Sequence, residues 1–405
     1  MGVFFWLGIH LIEKQECLDI MSHMNPSPSL GSSQPWSPPL FLSSVYQHAD
    51  LDALDRVNRG EEAGFVYARD HHPNAQMLEE SLSRLEAGKW ALVTSSGMSA
   101  LTLACLGSAQ AGQRILASDQ LYGRTNQLLK ELERYGVITE RIDTHDLAMV
   151  EQALTRKDVP PAQLLIVETL SNPLLRVADV SALVERAHRQ GCRVLVDNTF
   201  ASPEIHRPLE WGADWVMESL TKMISGHADV TLGLLAGKDD TQSRLRQIRS
   251  VWGFMGNPFE CWLTLRSLPT LSLRMRAACA NACQLAAWLR THPAVEQVIH
   301  PSLTDHPDHA LADRLLEGAG GHMLSVRLTG GREAVNRFMQ RAKGVPFCAS
   351  LGDVSTTCSH PVTASHRHMP EEERLRLGIT PGLLRLSIGI EPWAELRAEM
   401  EKGLA

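Results

Sequence analysis

Apolar runs that end in polar residues alternate with helical patterns from about residue 76 to residue 255 of the chain. The runs WALVTSS, RILASD, QLLIVETL and CRVLVDNTF are short and rich in aliphatic residues, which is typical of buried strands. Between them, MLEESLSRLEAG, MSALTLACLGSA and DVSALVERAHRQG repeat apolar residues at helical spacing. Strands that alternate with helices indicate an α/β fold, so we predict a mostly parallel sheet with helices packed on it.

The polar ends of these strands predict where a binding site would form. The carboxyl ends of parallel strands lie along one edge of a sheet, and ligands bind at that edge. In this chain the edge would carry Ser95–Gly97, Asp119, Glu168 and Asp197. A further apolar run, DWVMESLTK, ends at Lys222, so we predict that this lysine belongs to the same edge.

The pattern changes after residue 255. The stretch CWLTLRSLPTLSLRMRAACANACQLAAWLRTHP predicts one or two long helices, and MLSVRLTG and LLRLSIGIE predict strands on either side of a helix at REAVNRFMQRA. The chain has 405 residues, of which 44% are hydrophobic, and this is enough for two or more domains. We therefore predict a large domain at residues 76–255 and a smaller C-terminal α+β domain at residues 256–405.

Charge and cysteine content narrow the class of protein. The net charge is −7 and no basic block is present, so we expect no nucleic-acid partner. The eight cysteines are scattered and form no CxxC pair. Cys279 and Cys283 lie four residues apart on an apolar helical pattern, where packed thiols are a better interpretation than metal ligands. These features predict a reduced, cytoplasmic protein.

The first residues are only partly similar to a secretion signal. GVFFWLGIHLI is apolar, but no basic residue precedes it, and EKQE follows where a small-residue cleavage site would be needed. The segment is too short to span a bilayer, so we expect no membrane partner. We favour a natural start at Met21 or Met24. Residues 1–35, which include part of the Pro- and Ser-rich stretch NPSPSLGSSQPWSPP, are predicted to form a flexible extension.

The residue types on the predicted sheet edge suit pyridoxal 5′-phosphate. A lysine is most often a solvated surface charge, so Lys222 alone indicates little. Asp197, however, follows an apolar run, where an unpaired carboxylate is costly to bury, so it needs a cation or a protonated nitrogen. SSGM at residues 95–98 precedes a helix whose first N–H groups could bind a phosphate, although this motif alone is common in turns. A lysine, a carboxylate and a phosphate site are the parts that bind this cofactor.

Eight stretches extend this interpretation to most of the chain: FVYARDHHPNAQMLEESLSRLE, SSGMSAL, DQLYGRT, ETLSNPLLRVADV, VDNTFASPEIHRPLEWGAD, SLTKMISGHAD, RMRAACANA and LLRLSIGIE. Their order and spacing, from about residue 36 to residue 400, resemble the cysteine/methionine metabolism (trans-sulfuration) family of pyridoxal-phosphate enzymes. The resemblance implies the type I fold of these enzymes. It also implies an arm at residues 36–75 that contacts a neighbouring subunit, and a homotetramer built from dimers with shared active sites.

The resemblance implies a role for each matching residue. Lys222 would bind the cofactor covalently and move protons, and Tyr122 would stack on the cofactor ring and act as a second acid or base. The other cofactor contacts would be Asp197, Gly97, Met98, Ser219 and Thr221, with Tyr67 and Arg69 from the neighbouring subunit. The substrate α-carboxylate would be bound by Arg385, Ser350 and Asn172. Two alternatives stay open, namely that Tyr122 is a core aromatic and that Arg385 is an ion-paired strand residue.

The resemblance also implies a small amino-acid substrate. The first expectation is γ-elimination or γ-replacement of the cystathionine γ-synthase or γ-lyase kind. The alternatives are a methionine γ-lyase, an O-acetylhomoserine sulfhydrylase, an aminotransferase on the same fold, and a non-catalytic binding protein on a retained scaffold. The motifs SLTK and LYG disfavour the aminotransferase, and the presence of Lys222, Asp197, Tyr122 and Arg385 disfavours the binding protein.

Four features depart from the family pattern or need separate interpretation. Arg124 stands where the family has glycine or cysteine; it could lower the pKa of Tyr122, bind a second substrate carboxylate, or point to solvent. Met223 replaces an aromatic residue and is interpreted as a packing substitution. SLGD, which ends at Asp353, is similar to methionine γ-lyases and sulfhydrylases, whereas the missing cysteine argues against a methionine γ-lyase. The three histidines of SHPVTASHRH match a structural stretch, and no metal site is expected: His360, His366 and His368.

Overall fold

The computed structural model describes residues 33–316, 318 and 320–405. The signal-like segment, the two candidate start methionines, Cys17 and most of the predicted extension at residues 1–35 lie outside the described residues. No helix in the described part combines the length and the apolar character needed to cross a membrane. The cysteines in this part form no disulfide.

A seven-stranded sheet lies at the centre of the first half of the chain. Its strands are β1 (Trp90–Thr94), β2 (Arg114–Ser118), β3 (Ile138–Ile142), β4 (Ala162–Glu168), β5 (Arg193–Asp197), β6 (Trp215–Ser219) and β7 (Gly233–Gly237). In the spatial order β1-β7-β6-β5-β4-β2-β3, β7 runs antiparallel to both of its neighbours and the other adjacent pairs are parallel. The prediction of a mostly parallel sheet is confirmed, although β3 and β7 were not among the predicted strands.

Helices pack on both faces of this sheet. Helix α1 (Leu51–Asn58) comes first in the chain and has no buried residue. The packed helices are α2 (Pro73–Leu85), α3 (Gly97–Ser108), α4 (Gly123–Glu133), α5 (Leu147–Thr155), α6 (Val180–Arg189) and α7 (Gln242–Val251). Leu82 of α2 is in the core on one face, and Leu103 of α3 is in the core on the other. Helix α2 begins before the predicted segment because His72 caps it, with Ala75 N donating to His72 Nδ1 at 3.1 Å.

The second half of the chain forms a four-stranded antiparallel sheet. Its strands are β8 (Val295–Ile299), β9 (Met323–Leu328), β10 (Thr357–Ser359) and β11 (Leu383–Ser387), in the order β10-β11-β9-β8. The helices here are α8 (Pro258–Ser267), α9 (Leu271–Leu289), α10 (His309–Leu315), α11 (Gly331–Arg341), α12 (Glu371–Arg376) and α13 (Trp393–Leu404). The long apolar stretch forms α8 and α9, joined by a 3-10 turn at Leu268–Thr270. The domain boundary at residues 255 and 256 stays a prediction.

The second sheet brings its own loops to the edge of the first. Gly352 N donates to Ser387 Oγ at the end of β11 at 2.8 Å. Two residues later, Val354 N donates at 2.9 Å to the carbonyl of Gly226, which belongs to the turn after β6. These bonds fix the segment around residue 350 against the carboxyl edge of the large sheet, where the polar strand ends were predicted to collect.

Candidate active site

A cavity of about 560 Å³ opens at the carboxyl edge of the large sheet. Its walls come from the strand ends of that sheet, the start of α3, the start of α4, the loops at residues 349–351 and 364–370, and β11. The predicted site residues that line it are Gly97, Met98, Tyr122, Asn172, Asp197, Ser219, Thr221, Lys222, Ser350 and Arg385. The structure thus brings together residues that are far apart in the sequence.

Lys222 reaches this cavity from the turn that follows β6. Its Nζ donates to Ser350 Oγ at 3.0 Å, and no carboxylate of the described residues forms an ion pair with it. Burial, together with the smaller effect of the positive charge of Arg385, lowers the pKa of Lys222 to about 8. A large part of the lysine population therefore carries a neutral amine near pH 8, and this form is a base and a nucleophile.

The turn that holds Lys222 is fixed by contacts that sequence reasoning did not identify. Arg274 of α9 donates to the carbonyls of Met223 and Ile224, the latter at 3.0 Å. Gly226 has a φ of +72°, and a Cβ there would meet the Arg274 guanidinium. Gly352, with a φ of +81°, lies so close to the Lys222 backbone that a Cβ would stand 3.0 Å from its Cα. The lysine is therefore positioned from both halves of the chain.

Asp197 and Glu168 lie side by side at the carboxyl ends of β5 and β4. Thr199 N donates to Asp197 Oδ1 at 3.1 Å. Burial raises the pKa of both carboxyl groups, and the charge of Asp197 raises that of Glu168 further. Asp197 faces the cavity and has no cationic partner among the described residues. A protonated ring nitrogen in the cavity would supply the missing cation and stabilise the ionised form of Asp197.

The start of α3 presents backbone N–H groups to the cavity, an arrangement that suits a phosphate. Ser99 N donates to Ser96 Oγ at 3.1 Å, and the N–H groups of Gly97 and Met98 begin the helix beside the cavity. A Cβ on Gly97 would stand 3.0 Å from the Cβ of Ser219, so only glycine permits this close approach of the two loops. Ser219 and Thr221 line the same part of the cavity with their hydroxyl-bearing side chains.

Arg385 of β11 is only 5% exposed, and it has no acidic partner in the described part of the chain. Its Nη1 donates to Asn172 Oδ1 at 2.9 Å, its Nη2 donates to the Ser350 carbonyl at 3.0 Å, and its Nε has no partner in this part. Burial lowers the pKa of Arg385 to about 10, which still leaves it charged at neutral pH. The alternative of an ion-paired strand arginine is therefore wrong for the described residues, and a carboxylate ligand would satisfy this cation.

Tyr122 precedes α4 and lies at the cavity wall, with 39% of its surface exposed. Its backbone N donates to Glu168 Oε1 at 2.5 Å, and Asn172 N donates to Glu168 Oε2 at 3.2 Å. The alternative of a core aromatic is therefore wrong. Glu168 was noted only as a strand end, yet it positions two of the predicted site residues.

Comparison with known proteins identifies the family. Residues 20–405 match the family model for Cys/Met metabolism PLP-dependent enzymes. The chain belongs to this family. It is 37% identical to O-succinylhomoserine sulfhydrylase of Pseudomonas aeruginosa over 90% of each chain. It is 36% identical to L-methionine gamma-lyase of Porphyromonas gingivalis over 90% of this chain and 92% of that protein.

Solved structures agree with this assignment. The chain is similar to cystathionine gamma synthase from Xanthomonas oryzae pv. oryzae in complex with cystathionine, with a TM-score of 0.89 and 34% identity over 96% of this chain and 97% of that chain. The family resemblance, the α/β fold, the enzyme class and the dependence on pyridoxal phosphate are therefore confirmed. The names of the relatives cover synthases, lyases and sulfhydrylases, so family membership alone does not select one reaction.

Tyr67 and Arg69 do not reach the cavity of their own chain. Arg69 Nη1 donates to the Ser250 carbonyl at 3.2 Å and to Ser250 Oγ at 3.3 Å. The Arg69 guanidinium lies 5.3 Å from the centroid of the Tyr67 ring, and the tyrosine is 43% exposed. Their position at the surface leaves the prediction of a contact with a neighbouring subunit open.

The residues that depart from the family pattern have distinct environments. Arg124 lines the cavity, is exposed and donates from Nη1 to Gln127 Oε1 at 2.7 Å, and its three interpretations stay predictions. Met223 is 2% exposed and belongs to the core beneath the lysine turn, as the packing interpretation predicts. Asp353 accepts from Ser355 N at 2.8 Å and does not line the cavity.

The histidines after β10 serve as local hydrogen-bonding groups. His360 Nε2 contacts the Pro381 carbonyl at 2.9 Å, and Ser365 Oγ contacts His366 Nδ1 at 2.8 Å. Burial lowers the pKa of His366 to about 4, so it is neutral where it lines the cavity beside Arg385. Within residues 33–316, 318 and 320–405, no cluster of histidine, cysteine and carboxylate side chains could hold a metal ion.

Two further cavity residues were missed. Thr199 Oγ1 accepts from Ser219 N at 3.0 Å and thereby ties the ends of β5 and β6 together. The Phe200 ring lies 5.8 Å from the Arg385 guanidinium. Thr199 and Phe200 come two and three residues after Asp197 in VDNTF, and the polar residues that follow the apolar run were the available signal for Thr199.

Proposed function

We propose that this enzyme catalyses γ-elimination or γ-replacement on a sulfur-linked amino acid or a homoserine ester, in the manner of a cystathionine γ-synthase or γ-lyase. The observation that supports this most strongly is a lysine amine of lowered pKa in one cavity with two unpaired charges. One is the Arg385 guanidinium, which has no acid partner in the described residues, and the other is the Asp197 carboxylate, which has no cation partner there. A substrate carboxylate would pair with Arg385, and a protonated ring nitrogen of the cofactor would pair with Asp197.

The residues divide the work of binding and proton transfer. Pyridoxal phosphate, when bound, withdraws electrons from the carbon next to the substrate amine. Asp197 holds the proton on the ring nitrogen through its negative charge. Arg385 orients the substrate carboxylate, and Lys222 then accepts the Cα proton because its amine is largely neutral near pH 8.

Chemistry at Cγ needs more than one proton-transferring group. Protons leave Cα and Cβ, and the departing group at Cγ must be protonated, so a base and a second acid serve better than one lysine alone. Tyr122 is the second group in this proposal. Its ring is exposed at the cavity wall at the start of α4, and its backbone is held by Glu168. We assign Gly97, Met98, Ser219 and Thr221 to the phosphate.

We also propose a homotetramer built from dimers with shared active sites. The support is that Tyr67 and Arg69 lie outside the cavity of their own chain and are partly exposed. A two-fold dimer gives two identical shared sites, and a pair of dimers gives the tetramer. We place the enzyme in the cytoplasm, which is supported by cysteines that form no disulfide in the described part.

A substrate panel tests the reaction. The cofactor-loaded protein is given cystathionine, methionine, cysteine and O-acyl-homoserines, with and without a thiol, and 2-oxobutyrate, pyruvate and new thioethers are measured. We expect 2-oxobutyrate or a thioether from a γ-substituted substrate, and neither from the Lys222→Ala variant. Pyruvate alone would contradict chemistry at Cγ. A protein that binds the cofactor and converts nothing would instead be the non-catalytic binding protein.

A further inference from the structure

The mouth of the active-site cavity carries an excess of positive charge. Four basic side chains line it, namely Arg124, Lys130, Arg141 and Arg367, which we call the mouth cations. Glu373 is the one carboxylate of the described residues at this mouth, and it pairs with Arg141 at 3.0 Å. The remaining three mouth cations have no carboxylate partner among residues 33–316, 318 and 320–405. This excess is notable because the whole chain has a net charge of −7.

Two of these cations are placed by the same helix face. Arg124, Gln127 and Lys130 follow one another at intervals of three on α4, so they project from one side of the helix. Arg124 Nη1 donates to Gln127 Oε1 at 2.7 Å, a bond that directs the guanidinium along this face without neutralising it. Arg124 is also only two residues from Tyr122, so the cationic face begins beside the second proton-transferring group.

The loop at residues 364–370 forms a further part of the cavity wall, next to the start of α4. A Cβ on Gly123 would stand 2.3 Å from the Ser365 carbonyl, so the start of α4 and this loop are in direct contact. Arg367 Nε donates to His368 Nε2 at 2.8 Å, and no carboxylate of the described residues pairs with this guanidinium. The inner cavity differs, since it contains the carboxyl groups of Asp197 and Glu168 as well as Lys222 and Arg385. A cationic mouth attracts and orients anions.

We propose that the mouth cations select substrates whose group at Cγ ends in a free carboxylate, with Arg124 and Lys130 as the specificity-determining residues. This inference rests on the proposed reaction at Cγ. Arg385 would bind the α-carboxylate at the cavity floor, and the second carboxylate would then lie at the mouth. In replacement by a thiol, the Cγ–O bond of such an ester breaks, a Cγ–S bond forms, and the leaving dicarboxylic acid takes the thiol proton.

Two esters with the same reacting centre provide the test. O-succinyl-L-homoserine has the distal carboxylate and O-acetyl-L-homoserine lacks it. The ratio of their kcat/KM values therefore measures how strongly the mouth cations recognise that carboxylate. We expect the unmodified enzyme to prefer the succinyl ester. Arg124→Gln and Lys130→Gln should each reduce that ratio about fivefold, and the double variant about twenty-five-fold if the two effects add, because exposed ion pairs contribute up to about 1 kcal/mol. Added salt should reduce the ratio as well.

Arg134→Gln is the matched control, because Arg134 follows α4, pairs with Glu131 and does not line the cavity. It should leave the ratio unchanged. A second measurement uses glutarate and butyrate as inhibitors of the turnover of whichever amino acid the enzyme converts. The double variant should weaken inhibition by glutarate and leave inhibition by butyrate unchanged. If the double variant changes neither the ester ratio nor the inhibition by glutarate, the inference is wrong. If no γ-substituted substrate is converted at all, the proposed reaction is wrong, and glutarate binding then still tests the mouth by calorimetry.

Discussion

Arg385 Nη1 donates to Asn172 Oδ1 at 2.9 Å across 213 positions of the sequence. An amide oxygen holds a guanidinium in place but does not neutralise its charge. Because the second bond of Arg385 also goes to a neutral group, the Ser350 carbonyl, the arginine keeps its full charge for a ligand. Asn172 and the Ser350 carbonyl thus orient the guanidinium, and Arg385 itself supplies the positive charge for a carboxylate ligand.

This relationship predicts that two substitutions at residue 172 raise KM by different amounts. Asn172→Ala removes one neutral anchor and should raise KM roughly tenfold, because a hydrogen bond to a charged group contributes about 1.5–3 kcal/mol. Asn172→Asp gives Arg385 an acid partner that competes with the substrate carboxylate, so it should raise KM more than alanine does. Steady-state kinetics measures both, with circular dichroism as the folding control. An Asp variant with an unchanged KM would show that Arg385 does not bind the α-carboxylate.

Asp197 is predicted to support cofactor binding at the expense of the stability of the cofactor-free protein. Its carboxylate has no cationic partner in the described residues, and burial raises its pKa. Asp197→Asn should therefore weaken cofactor retention and lower kcat by roughly 100-fold or more, since a neutral amide does not hold the ring proton. The cofactor-free variant should unfold at the same or a higher temperature than the unmodified protein. Near-normal turnover by the Asn variant would contradict this role.

Glu86 and Glu218, the latter on β6 before Lys222, are both buried, and neither carboxyl oxygen of Glu86 has a hydrogen-bond partner in the described residues. Burial raises the pKa of Glu86 to about 8 and raises that of Glu218 well above its usual value, with the charge of Glu86 adding to the rise. The folded protein thus retains protons that the unfolded chain has lost above about pH 4.5. Stability should therefore fall as the pH rises from about 5 to 8.

Glu218→Gln tests this pair. The glutamine keeps the shape without titrating, and Asn198 Nδ2, which donates to Glu218 Oε1 at 3.0 Å in the unmodified protein, keeps an acceptor. We expect the free energy of unfolding to depend less on pH between 5 and 8, and to be higher at pH 8 than in the unmodified protein. Denaturant unfolding at several pH values measures it, with the exposed Glu80→Gln as the charge-matched control. An unaltered pH profile would show that Glu218 does not keep a proton that the unfolded chain has lost.

A complementation experiment with two inactive variants tests whether two chains share each active site. Arg69→Ala should damage the neighbour's site, and Lys222→Ala should damage its own, so each variant alone should be nearly inactive. A mixed dimer would contain one site with both defects and one with neither. Random pairing makes about half of the dimers mixed, so about a quarter of all sites should recover. If mixed dimers form and no activity returns, the arm at residues 36–75 does not complete the neighbour's site.

The residues at the carboxyl edge of the large sheet could be predicted because each strand end is recognisable from a short stretch of sequence. An apolar run that ends in a polar residue marks the end of a strand, and parallel strands end on the same side, so Lys222, Asp197 and the SSGM turn could be placed together. The same reasoning missed β7, whose sequence GLLAG is short and wholly buried. Such a run shows no alternation that would distinguish a strand from a buried helix. Helix α1 was missed for the opposite reason, since none of its residues is buried.

Partners that come from distant parts of the chain could not be found this way. Nothing near Arg385 in the sequence indicates that Asn172 and the Ser350 carbonyl hold it, and nothing near Lys222 indicates that Arg274 fixes its turn. The roles proposed for Tyr67 and Arg69 would depend on a second chain, which no pattern within one chain describes. Tertiary packing decides these contacts, and the family resemblance supplied only the residues that match its motifs.

The assignment of Lys222 as the cofactor-binding lysine can be tested directly by chemical trapping. The cofactor-loaded protein is reduced with borohydride, digested, and analysed by mass spectrometry for a lysine that carries the reduced pyridoxyl phosphate group. Lys222 is predicted to carry it, because its Nζ is the lysine amine with a lowered pKa in the cavity that also contains Asp197 and the start of α3. The Lys222→Ala variant, treated in the same way, should carry no label. Labelling of a different lysine, or equal labelling of the alanine variant, would contradict the active site described above.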